Sequence, residues 1–489
     1  MATLQVRLRE LLAMGLLCLA RLVLRLEQRV LALEAEKTAL LADREQLRRR
    51  LQAALRAKKR QAAPFSKGPP KKNPKRPGRK PGAAYGKRGK RPRPEHVDIT
   101  HEVPVPACCP DCGCTTFHDE QVDEVFEEDI PEVRPKVTLF RLHSASCKGC
   151  GKRVRGRHEE QISSATHAAG VHVGPNALAK ASQLNKELGL PYGKVARIFD
   201  AFFGISITRG GLCQAIQRVS DRVVPTYIEI IEQIRQAPTV TADETGWKVG
   251  GYNHWLWAFV SEKHTVYSIC RGRGFEEAAG VLGGEYPGVI ERDGWAPYRH
   301  FTKAGHQTCL NHLLSRCRRL IDTAQRGAAR FPHAVQRILQ EALGLRDRRD
   351  QGLILPHGLA VATGRIRNAM SRLLTGNPQV EENRRFRDHL RREQEASALF
   401  TFLVQPGVQA TNWRAEHAIR AQVVTRKVCG GNRTDRGAEV HSILASVLRT
   451  TSQQGRCFGA LLTPILRSPV ELVMTELIAG NPSQDPAPP

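Results

Sequence analysis

The chain has 489 residues and a formal net charge of +27, with 75 Lys and Arg against 48 Asp and Glu. That balance suits a polyanionic partner and makes nucleic acid the first expectation. Thirteen cysteines over this length exclude a disulfide scaffold. Its longest apolar run, residues 11–26, is interrupted by Arg21 and Arg25, short of the roughly 20 apolar residues a membrane span needs. No secretory cleavage pattern follows it, so a cytoplasmic, nucleoid-associated protein without a membrane partner is expected.

Leu12, Leu19, Leu26, Leu33, Leu40 and Leu47 recur every seventh residue, with a second seam at Leu16, Val23, Val30, Lys37, Arg44 and Leu51. This a/d pattern predicts a coiled coil over 4–55, filling a multimerisation segment 1–55, and hence a homo-oligomer. One amphipathic helix packed on its own domain is the alternative. Residues 56–94 then hold 16 Lys and Arg and no acid. Segment 56–98 is read as a disordered basic linker that touches phosphates without sequence preference.

Cys109, Cys112, Cys147 and Cys150 make a CxxC…CxxC set with 34 residues between the pairs. Two such knuckles predict a zinc-binding module over 99–160, with four thiolates closing one structural Zn²⁺. Cys108 competes with Cys109 for the first position. The stretch between the pairs alternates apolar and acidic residues and is read as strands. Residues 161–236 read as helical and helix-turn-helix-like, with Gly204 at the turn and Thr208 capping a second helix. Arg209, Gln214, Gln217 and Arg218 are then candidates for groove contact, although a purely structural helix pair fits the pattern equally.

From Pro238 the texture becomes strand-like. Runs at 238–243, 253–260, 265–270, 288–293 and 306–310 alternate with short connections, and acids close the first and fourth runs. This order predicts an α/β multidomain chain with a ribonuclease-H-like catalytic core. Its first part is 237–320, a helical insertion occupies 321–405, the second part is 406–465, and 466–489 is a tail. Asp243, Asp293 and Glu416 offer hard oxygen ligands suited to Mg²⁺ or Mn²⁺, and two such ions can clamp both oxygens exchanged at a phosphodiester. Thr411 or Asn412 is placed to cap the helix carrying Glu416. Glu439 is the second choice for the third acid, and Glu244 is set aside because it faces away from Asp243 on a strand. Cys309 and His312, near His306, form a Cys-x-x-His pair that offers too few ligands for an ordinary zinc site and is expected to hold the floor of this site or to touch DNA rather than bind metal. Arg420, Arg426, Lys427, Asn432 and Arg433 are candidate phosphate contacts. Trp247, Trp295 and Tyr298 flank the acids and are read as packing residues.

Taken together, TADETGW, WLWAFV, DGWAPY, HQTCLNHLLSRC, TNWRAEHAIR, RKVCGGNRTDRGAEVHSILASVLRTTSQQG and the paired CxxC motifs resemble the large catalytic protein of the insertion sequence 66 family of transposases. The likeness covers roughly residues 60–465. It implies a DDE triad on Asp243, Asp293 and Glu416, with metal-dependent cleavage of DNA ends and strand transfer into target DNA. It also implies possible accessory proteins as partners. Trp413 and His417 depart from the family's usual Asn and Arg around the third acid. Two other classes stay open at this stage, a catalytically inactive DNA-binding regulator and a structure-selective nuclease on the same fold.

Overall fold

The computed structural model describes residues 2–13, 17–58, 91–118, 121–163, 165, 171–325 and 327–479. Most of the basic linker (59–90) and the end of the tail (480–489) lie outside the described residues. The architecture is mixed α/β around one five-stranded mixed sheet. No helix among the described residues is long and apolar enough to cross a membrane.

The heptad stretch forms two helices, α1 (Ala2–Ala13) and α2 (Leu17–Lys58). Arg7 pairs with Glu27 at 2.9 Å across the break. In one continuous helix those residues would stand about 30 Å apart at 1.5 Å per residue, so the chain doubles back. The expectation of an unbroken helix from residue 4 is therefore corrected. On α2 the stripe Leu26, Val30, Leu33, Leu40, Leu47 and Leu51 is exposed.

In the cysteine-containing segment the two CxxC loops adopt matching turns. Gly113 N–H donates to Cys109 O at 2.9 Å and Cys109 N–H to Cys114 O at 2.8 Å. Gly151 N–H donates to Cys147 O at 2.8 Å and Cys147 N–H to Lys152 O at 2.9 Å. Gly113 and Gly151 sit at φ of 74° and 69°, a conformation glycine adopts without a Cβ penalty. Among the described residues only a short antiparallel pair, β1 (Ser144–Ser146) with β2 (Arg153–Arg155), forms here. The described residues of the alternating stretch before it form no strand.

Helix α3 (Pro175–Ser182) runs into a π-helical turn, Gln183–Glu187, followed by α4 (Tyr192–Phe203) and α5 (Arg209–Gln236). Gly204 ends α4 at φ 60°, and the Thr208 hydroxyl accepts from Gly211 N–H at 3.1 Å to cap α5. Helix α5 is 28 residues long and buries Leu212, Ile216, Val219, Val223, Ile230 and Ile234. It belongs to the main core as much as to a helix pair.

The sheet contains β3 (Thr239–Val249), β4 (Tyr252–Val260), β5 (Thr265–Cys270), β6 (Val289–Arg292) and β7 (Gly305–Thr308), in the order β5-β4-β3-β6-β7. The first three pair antiparallel, while β6 and β7 join parallel to β3 and to each other. Gly250 and Gly251, at φ 56° and 86°, make the two-residue β3–β4 turn that favours positive φ at both positions. Helix α6 (Phe275–Leu282) connects β5 to β6, and a 3₁₀ turn, Ala296–His300, connects β6 to β7.

Period-two alternation splits β3 between two faces. Val240 and Ala242 join the core with α5, whereas Trp247 and Val249 pack with Ala415, Ala418 and Ile419 of α12 (Trp413–Cys429). Helix α13 (Asp435–Gln453) closes the free edge of β5 with side chains. Thr450, Ser446 and Ser442 hydroxyls accept from the N–H groups of Thr265, Tyr267 and Ile269 at 3.1, 2.8 and 3.2 Å. Four helical residues rise about 6.0 Å and two strand residues about 6.7 Å, so the two ladders keep step. Helix α14 (Phe458–Arg467) and the short α15 (Thr475–Ala479) complete this side.

The expected insertion is helical. After α7 (Leu310–Asp322), residues 321–405 hold α8 (Arg330–Asp350), α9 (Pro356–Thr375), α10 (Glu381–Glu395) and α11 (Thr401–Val404), which pack with α7 around their own apolar cluster. The insertion is anchored to the sheet at β7, where Thr308 N–H donates to Ala398 O at 2.7 Å and Phe402 N–H to Gln307 Oε1 at 3.1 Å.

Candidate functional site

Asp243 lies on the central strand β3, on the face covered by α12. It stands opposite Ala258 in the β3–β4 register. Asp293 immediately follows β6, the parallel neighbour of β3. Its Oδ1 accepts from Trp295 N–H at 2.8 Å, a local turn that holds the carboxylate at the strand end. Glu416 sits in the first turn of α12, where its N–H donates to Asn412 O at 3.1 Å. Asn412 occupies the capping position without a side-chain cap bond, so the expected capping contact is absent.

One imidazole links the three acids. His312, in the first turn of α7, has Nε2 3.6 Å from Glu416 Oε1. Its pKa is raised to about 9 by its hydrogen bond to Cys309, against burial, with the negative charges of Glu416 and Asp293 contributing further. Asp243 is pushed up to about 7, first by burial and then by the charge of Glu244, with Asp293 adding to it and His312 opposing it. The three acids therefore share one electrostatic neighbourhood. Among the described residues they do not form a single tight ligand group; the only such group is Cys309, His312 and Glu416, whose donor atoms lie within 4.8 Å of one another. Carboxylates on opposite sides of two ions about 3.5–4 Å apart need not meet so closely.

Glu244 faces the other way and is fully engaged. Its carboxylate accepts from Arg273 Nε and Tyr298 Oη, each at 2.8 Å. The Arg273 guanidinium is sandwiched between the Trp255 and Trp295 rings, 4.3 and 3.9 Å from their centroids. Trp295 and Tyr298 thus carry polar duties that the sequence did not disclose. Glu439 lies on α13, exposed and paired with Arg436 at 2.7 Å.

A second arrangement escaped the sequence altogether. Arg292, the residue before Asp293, is fully buried. Its Nη2 meets Glu393 Oε2 of α10 at 2.9 Å, and its Nη1 donates to the Asp293 carbonyl at 2.9 Å. Thr308 Oγ1 also donates to Glu393. Burial alone would raise the Glu393 pKa, yet the Arg292 charge and these hydrogen bonds hold it below the ordinary value. The insertion therefore grips the strand end that carries Asp293. Nothing near residue 292 signals a partner 101 positions away.

The proposed phosphate contacts divide. Arg209, Gln214, Arg218, Arg420, Lys427 and Arg433 have exposed side chains. Arg426 is half-buried and donates to Thr245 Oγ1 at 3.2 Å and to the Gly246 carbonyl, clamping α12 to β3. Asn432 accepts from Trp247 Nε1 at 2.7 Å and donates to Gly437 O at 2.9 Å. These two hold the glycine-rich loop against the end of β3. Backbone hydrogen bonds from Asp111 and Cys112, with the Cys112 side chain, lower the Cys109 pKa, and those from Cys150 and Gly149, with the Cys150 side chain, lower that of Cys147. The two pairs do not gather into one tight group among the described residues.

No curated protein matches the chain. A family model described as transposase IS66 family matches residues 170–440. The match takes in the five strands, the insertion, all three acids and His312, and it covers more than half of the 489 residues, so the chain belongs to the IS66 family of transposases.

Proposed function

We propose that the chain is a catalytically competent DDE transposase whose reaction centre is Asp243, Asp293 and Glu416 on a ribonuclease-H-like core. The observation that carries this reading is His312, 3.6 Å from Glu416 and within the field of both aspartates. The strand order β5-β4-β3-β6-β7, with acids on its central strand and after the neighbouring parallel strand, supports it further. The donor set fits Mg²⁺ or Mn²⁺, since oxygen ligands are what these ions prefer. An Asp243 driven towards neutrality first by burial and then by neighbouring carboxylates is also what a cation would relieve.

When bound there, divalent metal supplies an activated water and neutralises charge on the phosphodiester oxygens. The protein's own part is to fix the three carboxylates on two strands and a helix start, and to hold Glu416 against His312. Hydrolysis at an element end breaks one phosphodiester P–O bond and frees a 3′-hydroxyl. That hydroxyl then attacks a target phosphodiester, forming one P–O bond as another leaves with a target 3′-hydroxyl. Exposed Arg420, Lys427 and Arg433 near the α12 face, and Arg209, Gln214 and Arg218 on α5, would bind DNA. The paired CxxC turns would hold structural Zn²⁺, and the exposed leucine stripe of α2 would join copies.

The test is strand transfer from labelled end DNA into a plasmid, with Mg²⁺ or with EDTA. Asp243→Asn, Asp293→Asn and Glu416→Gln should each lower joining by at least about 100-fold, since metal clamps supply several kcal/mol and each 1.36 kcal/mol is tenfold. Glu439→Gln should remain active. Wild-type joining by Asp293→Asn would disprove the triad, and end binding without cleavage by the wild type would favour a regulator.

A further inference from the structure

We propose that Cys309, His312 and Glu416 form a binding site for a zinc-class transition ion, chemically distinct from the all-oxygen site of the proposed reaction. The site shares Glu416 with that reading but stands without it. One thiol sulfur, one imidazole nitrogen and one carboxylate oxygen lie within 4.8 Å of one another. In a tetrahedral site with metal–ligand bonds of 2.0–2.3 Å, donors sit roughly 3.3–3.8 Å apart, so these groups need close by only about an ångström. Mg²⁺ avoids sulfur, whereas this mixture suits zinc or cobalt and leaves a fourth position open.

The backbone accounts for the convergence. Cys309 is the residue at the N-terminal boundary of α7 and His312 lies in its first turn, a three-residue spacing that puts both on one helical face. Glu416 occupies the first turn of α12. Leu310 N–H donates to Ala410 O at 2.9 Å, tying the approach to α12 against the start of α7. Two helix N-termini therefore bring the three side chains together. Cys309 is buried while His312 is half-exposed, so an ion would reach a sheltered sulfur past an open imidazole.

The experiment is titration of the full chain with Co²⁺, following the thiolate-to-cobalt absorption and the bound stoichiometry. Wild type should bind one more equivalent than Cys309→Ser and show a correspondingly stronger thiolate band. Contributions from the paired CxxC cysteines are common to both proteins and cancel in the difference. His312→Ala, at a half-exposed position, should show the same loss of one equivalent even where the Cys309 change unfolds the chain. Equal stoichiometry and equal thiolate absorption in wild type and His312→Ala overturn the proposal. Asp243→Asn should retain the extra equivalent while losing strand transfer. Failure of the triad and failure of this site therefore give different results.

Discussion

Replacing Glu393 with Gln keeps the side-chain volume and removes only the charge that Arg292 answers to. Both side chains are almost completely buried, at 0% and 1% exposure. After the change, the guanidinium retains the Asp293 carbonyl at 2.9 Å and His306 Nδ1 at 3.5 Å, neither of which neutralises it. An uncompensated buried charge of this kind costs about 3–5 kcal/mol. At roughly 2–4 °C per kcal/mol for a domain of this size, the transition should fall by on the order of 10 °C. The measurement is urea and thermal unfolding of Glu393→Gln beside the double variant Arg292→Met/Glu393→Leu. The double variant should recover most of the loss, because replacing a buried pair by apolar groups of similar volume is often neutral. Strand transfer by the folded single variant should drop by about 100-fold, the penalty of an ångström's misplacement at a reacting centre, since Arg292 holds the Asp293 carbonyl. Unfolding within about 1 kcal/mol of wild type would refute the idea that the insertion clamps the second acid. The pH dependence gives the same information. The folded Glu393 pKa lies below its ordinary value, so the stabilisation is present above the unfolded value of about 4.3 and is lost as pH falls through the folded one. The single variant should show a flatter acid limb.

Asp243 predicts the opposite sign. Its folded pKa is raised to about 7, so the metal-free protein should lose stability as pH climbs from about 4 towards 7. Asp243→Asn should abolish that slope, and Mg²⁺ should protect the wild type above neutrality in a thermal-shift series. Thr208→Ala removes the α5 cap and should cost about 1 kcal/mol by urea unfolding, with catalysis little changed. Gly431→Ala places a Cβ against the Lys248 carbonyl at φ 98° and should cost at least about 1–3 kcal/mol. Loss of the Trp247–Asn432 contact would be visible in tryptophan fluorescence. Changing Leu33, Leu40 and Leu47 to Lys on α2 should shift sedimentation towards monomer if the stripe joins copies, and should leave the thermal transition of the sheet in place.

Features set by neighbouring residues were legible in the sequence. Short β-prone runs marked the five strands, and Gly204 with Thr208 marked the end of α4 and the cap of α5. The CxxC spacing marked the two turns. The packing of α1 back against α2 was hidden because a heptad period looks the same in one long helix and in two packed ones. The strand expectation before Ser144 failed for a related reason, since alternation shows that a segment is able to pair without supplying a partner. The Arg292–Glu393 pair and the Glu244–Arg273–Tyr298 network were invisible because they are decided by three-dimensional packing between elements far apart in sequence. Arg426 shows the limit of reading charge alone. It looked like a phosphate contact, yet its guanidinium is spent on Thr245 and Gly246.

The hydroxyls of Ser442, Ser446 and Thr450 have a consequence for how copies can assemble. An exposed strand edge is an invitation to another strand, but the N–H groups of β5 already have partners on α13. The opposite edge, β7, is occupied by the insertion through Ala398, Thr401 and Phe402. With both borders of this five-stranded sheet closed, it is unable to grow by recruiting a neighbour's strand. The fit also depends on counting. Substitutions that keep a hydroxyl at every fourth position of α13 preserve the seal. A single inserted or deleted residue would turn the following hydroxyls by about 100° and unzip the edge.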